Sequence, residues 1–67
     1  MSLLTIGEAA RYMTISKGTL YNYTHQRRVP FAKISNRVVF RQDELDRWIN
    51  AGGTPEAAKK IMDSRKK

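Results

Sequence analysis

Lys17, Gly18, Tyr21, Asn22 and His25 fall on one side of a helical projection, opposite Leu20 and Tyr23. An ammonium, a phenol, an amide and an imidazole on one face can donate and accept hydrogen bonds. The glycine among them lets a backbone come close to whatever they meet. Ser16 and Thr19 flank that face, and Arg27, Arg28, Lys33, Ser35, Asn36 and Arg37 follow within a short span. This is the chemistry of recognition, not of bond making. His25 is the only histidine and there is no cysteine, which removes thiolate catalysis, disulfides and Cys-based zinc sites. No catalytic residue, metal ligand or cofactor is assigned, and a small-molecule substrate is not expected.

The charge pattern indicates what such a face would meet. From Ala9 to Gln42 the chain runs thirty-four residues without an acidic side chain, yet it carries Arg11, Lys17, Arg27, Arg28, Lys33, Arg37 and Arg41. A solvated surface mixes signs; a one-signed block holding helix and strand patterns suits a polyanion. The whole chain has a net charge of +7 over 67 residues. That length allows one small domain with a modest core. No apolar run approaches the ~20 residues that span a bilayer, and no signal-peptide pattern opens the chain. With cysteine absent, a cytoplasmic location is the expectation.

The elements that must position these residues can be read in order. Thr5 and Glu8 fit a capping box, with Leu4 before it able to staple against Ala9. Ile6, Ala9, Ala10 and Met13 then share one helical face. Met13-Thr14-Ile15 forms a turn, and Ser16 caps a second helix from Lys17 to about His25 or Gln26, with Leu20 and Tyr23 inward and Thr24 beside them. Val29-Pro30 biases the chain to extended geometry. Phe31 to Ile34 and Arg37 to Phe40 predict a two-stranded hairpin turning at Ser35-Asn36. Asp43 and Glu44 open a third helix whose inward face is Leu45, Trp48 and Ile49, with Trp48 central to the core. Gly52-Gly53 breaks it. Thr54-Pro55 opens a fourth helix with Ala58, Ile61, Met62 and Arg65 on one face; docking, self-association and fraying are all open to it. Arg65-Lys66-Lys67 reads as a solvated basic tail.

Helix, tight turn, helix, basic hairpin and helix is the order of a winged helix-turn-helix. The chain resembles the excisionase-type, MerR-like winged helix-turn-helix family. The resemblance rests on Leu4-Thr5-Ile6 with Glu8-Ala9-Ala10, Ile15-Ser16 before Thr19-Leu20-Tyr21, Val29-Pro30, the hairpin Phe31 to Arg41, and Leu45 to Ile49. It implies a mainly α fold with a small β-hairpin, a DNA-binding domain over residues 3–50, and a C-terminal extension over 51–67. The function it implies is sequence-specific binding of double-stranded DNA, as an excisionase-like recombination factor or a small bacterial or mobile-element transcription regulator. It further implies a base-reading helix over Ser16 to Asn22 and a wing over Ile34 to Val39. Lys17, Tyr21 and Asn22 would reach the groove. Arg27 and Arg28 would lie near phosphates, and Arg37, at the wing tip, near the minor groove or backbone. An integrase or recombinase, or a second copy on DNA, would be the protein partner. Two positions depart from the family pattern. Arg27 stands where glycine is common, so the second helix should stop without a left-handed cap or continue slightly; Ser35-Asn36 occupies a wing turn that often holds glycine. The alternative reading is a protein-interaction module that keeps this fold and has lost DNA.

Overall fold

The computed structural model describes residues 3–65. The elements run β1 (Leu3–Thr5), α1 (Ile6–Tyr12), α2 (Lys17–His25), β2 (Ala32–Ile34), β3 (Arg37–Arg41), α3 (Gln42–Asn50) and α4 (Pro55–Asp63). The expected capping box is present: the Glu8 amide donates to the Thr5 hydroxyl at 3.2 Å, and the Thr5 amide donates to the Glu8 carboxylate at 2.9 Å. The small residues Ala9 and Ala10 are buried, which lets α1 lie close against α2.

The sheet differs from the hairpin expected of the sequence. Three antiparallel strands, in the order β1-β3-β2, replace the two-stranded hairpin. Leu3, Leu4 and Thr5 pair with Arg41, Phe40 and Val39, and β2 pairs from Ala32 opposite Val39 to Ile34 opposite Arg37. Leu4 therefore stands beside Phe40 as a strand residue packed against the core, and does more than staple a helix start. The third strand has a physical purpose. A bare two-stranded ribbon is marginal in water, and β1 closes its long strand on the second side.

Phe40, Leu20, Leu45 and Val29 are fully enclosed and form the centre of the core; Trp48 lies nearer its margin. The Trp48 indole N–H donates to the Thr54 carbonyl at 2.9 Å, and its ring meets Tyr23 edge-on at 6.5 Å. Ile49, expected inward, is 48% exposed. α3 buries Glu44, Leu45 and Trp48, and Ile49 stands about 100° further round from Trp48. Glu44 fills the inward place because Arg65 meets it: Nε donates to Oε2 at 2.8 Å and Nη2 to Oε1. A carboxylate buried to 3% exposure needs such a partner. The hydrogen bond to Glu44 raises the arginine pKa above its usual value, against the lowering effect of partial burial.

α4 docks. Ala58 and Ile61 join the same core, and the Glu44–Arg65 pair ties its end to α3. Arg65 is thus held in place, whereas Lys66 and Lys67 of the expected basic tail lie outside the described residues. Among the described residues no helix is long and apolar enough to cross a membrane, and no group of three His, Cys, Asp or Glu side chains could hold a metal ion.

Candidate nucleic-acid interface

α1 and α2 are joined by Met13 to Ser16, and the join is tight because α1 ends in a left-handed cap. Thr14 takes φ 58°, and the Ile15 amide reaches back to the Ala10 carbonyl at 2.9 Å. Ser16 then starts α2. Its hydroxyl accepts the Thr19 amide at 3.1 Å and donates to the Thr19 hydroxyl at 2.9 Å. Ser16 and Thr19 therefore face each other as a helix start, and Thr19 is half-buried. Past them Leu20 and Thr24 turn inward, while Lys17, Gly18, Tyr21, Asn22 and His25 are exposed on one face. Tyr21 is 47% exposed, unlike the half-buried Tyr23 nearer the helix end.

Two glycines flank this face, and their surroundings differ. A Cβ on Gly7 of α1 would sit 3.7 Å from the Lys17 side chain, so the lysine stem lies along the start of α1. A Cβ on Gly18 would find only the Ser16 hydroxyl at 4.0 Å, and Gly18 is not in the left-handed region. Nothing within the fold demands a glycine at position 18.

The end of α2 overturns the expected departure. Arg27 itself adopts the left-handed conformation, φ 55°. The Arg27 amide bonds the Thr24 carbonyl at 3.1 Å and the Arg28 amide bonds the Tyr23 carbonyl at 2.8 Å, completing the cap that glycine usually makes. The two arginines then diverge. Arg27 lies over the Phe31 ring at 6.0 Å, and Arg28 covers the Tyr23 ring at 5.2 Å while donating to the Gln26 side chain at 3.4 Å. At the far tip, Ser35 and Asn36 both have positive φ, 49° and 68°, a type I′ turn between paired Ile34 and Arg37. A non-glycine pair makes the wing turn without lengthening it.

Between α2 and the hairpin runs an open cleft of about 1170 Å³. It brings together Tyr21, His25 and Arg27 from the helix side and Lys33, Asn36 and Arg37 from the wing, over a floor that includes Phe31 and Val39. Lys17, Gly18 and Asn22 are exposed on the same helix but outside the cleft, Ser35 is exposed at the wing tip, and Arg28 turns to Tyr23. Thr5, Ile6, Met62, Asp63 and Arg65 also line the cleft, and nothing in their local spacing marks them for it. The first two arrive through the β1–β3 pairing and the rest through the docking of α4. Both are tertiary placements.

A helix-turn-helix domain family matches residues 3–53, which covers β1 through the break after α3. The chain belongs to this family. Its members are excisionase-like and MerR-like DNA-binding domains, which supports double-stranded DNA as the partner of this helix-turn-helix domain. Four helices and a three-stranded antiparallel sheet are consistent with the winged form of the fold. Comparison with curated proteins and with solved structures gave no match.

Proposed function

We propose that this helix-turn-helix domain binds double-stranded DNA sequence-specifically, with α2 in the major groove and the β2–β3 hairpin on the adjacent backbone or minor groove. Lys17, Tyr21 and Asn22 would meet base edges; Ser16, Gly18, Thr19 and His25 would line the approach. Arg27, Arg28, Lys33, Ser35, Asn36 and Arg37 would meet the backbone. The observation that carries this reading is the cleft itself: every charged side chain that α2, its cap and the hairpin contribute to it is cationic. An α-helix fits the ~12 Å major groove, and one wing beside it supplies a second grip. The binding unit would be residues 3–50, with 51–67 as an extension that buttresses α3. The work is binding without catalysis, in a bacterial cytoplasm, as an excisionase-like recombination factor or a small transcription regulator. An integrase or a second copy on DNA would be its protein partner.

Asn22 gives the sharpest test. Its amide can pair with adenine N6 and N7, an interaction worth about 1–3 kcal/mol of discrimination. After selection of a preferred site from a random library, Asn22→Ala should weaken that site about 5- to 150-fold while binding to random duplex and the melting temperature stay nearly constant. Equal losses on both DNAs would mean that α2 only grips the backbone. No binding to any duplex would favour the protein-interaction reading.

A further inference from the structure

The cleft holds one acid. Among its lining residues Asp63 alone carries a negative charge, and it comes from the last residue of α4, beyond the stretch that the family match covers. Asp63 is exposed and makes no ion pair among the described residues. Arg65 does not offset it, because that guanidinium is held by Glu44. Asp63 also lines a second groove of about 540 Å³, to which Arg27, Glu56 and Lys59 contribute as well. A carboxylate at a helix C-terminus opposes the helix dipole, and Lys59 and Lys60 one turn back offset that cost. A single negative charge at the edge of a cleft whose other charged side chains are cationic acts on what enters it.

We propose that Asp63 bounds the phosphate track. It repels the DNA backbone from the α4 side of Arg27 and limits the strength of sequence-independent binding. This rests on the DNA-binding reading above. Like charges a few ångströms apart at an exposed site interact weakly, and salt screens them over about 10 Å at 0.1 M, so the effect belongs to low and moderate ionic strength. Repulsion at one margin also favours one direction of docking, in which phosphates run from Arg27 toward Lys33 and Arg37 rather than over α4.

Binding to a random-sequence duplex, read by fluorescence anisotropy, tests this with three proteins: the parent, Asp63→Asn and Asp46→Asn. Both variants change net charge equally, but Asp46 lines neither groove, and an asparagine there can still accept from the Tyr12 hydroxyl. At about 0.1 M salt Asp63→Asn should bind about three- to tenfold tighter than the parent, Asp46→Asn less than about twofold tighter, and both gaps should close near ~1 M. The melting temperature of Asp63→Asn should equal or slightly exceed that of the parent. Equal gains in the two variants would overturn the inference, since net charge and not placement would then be responsible. Unchanged or weaker binding by Asp63→Asn would overturn it as well. A parent that binds no duplex removes the DNA-binding reading itself, an outcome distinct from either.

Discussion

Gly18 shows most clearly how a single position separates the needs of the fold from those of function. A glycine inside a helix costs about 0.5–1 kcal/mol relative to alanine, because the unfolded chain has more freedom to lose. Elsewhere that cost has a structural return: Gly52 and Gly53 after α3 sit at φ 99° and 65°, where a side chain would be strained. At Gly18 a methyl group would enter open space and the backbone is not left-handed, so the helix gains nothing from the glycine. The empty space lies on the exposed face with Lys17, Tyr21 and Asn22. Gly18→Ala should therefore raise stability by about 0.5–1 kcal/mol and weaken DNA binding several-fold, measured by thermal melting and by titration of one duplex. A variant that is both more stable and an equally good binder would show that DNA does not approach α2 closely there.

At the scale of elements, the most informative feature is how α2 stops. A non-glycine residue in the left-handed region is disfavoured by roughly 1–2 kcal/mol, and Arg27 stays there with its guanidinium over Phe31, a contact worth about 0.5–1 kcal/mol at an exposed site. The strain is at least as large as the local return, so the fold alone gives arginine no advantage over glycine here. Arg27→Gly should melt at the same temperature or a few degrees higher, yet bind duplex DNA more weakly with a salt slope flatter by about one. Lower melting with intact binding would make Arg27 a structural residue. The same feature marks the limit of reading elements from sequence. The caps at Thr5, Ser16 and Thr54 were legible because a hydroxyl three residues before an amide is a local pattern. The turn at Ser35-Asn36 was legible for the same reason. β1 was not, since three residues carry no period and their partners, Val39 to Arg41, lie beyond two intervening helices. Ile49 turns outward and Glu44 inward because α3's orientation depends on tertiary partners such as Arg65, and helical spacing alone cannot supply those.

At the scale of the whole molecule, three of the seven cations between Ala9 and Gln42, namely Arg27, Lys33 and Arg37, line the cleft between α2 and the hairpin, and α4 closes one margin with the only acid among the lining residues. The candidate site was legible as a set of residue types; its shape depended on β1 and α4, which place Thr5, Ile6, Met62 and Asp63 along it. If this surface meets a duplex through its phosphates, the salt dependence of binding must report it. Each phosphate neutralised releases condensed counterions, so a protomer that meets about four to six phosphates should show log K falling with log salt at a slope near −4 to −5. Arg37→Ala, at the wing, should lower affinity for every sequence alike and flatten that slope by about one. Duplex binding that is indifferent to salt, or a slope unchanged by Arg37→Ala, would mean that this surface does not hold DNA by its phosphates.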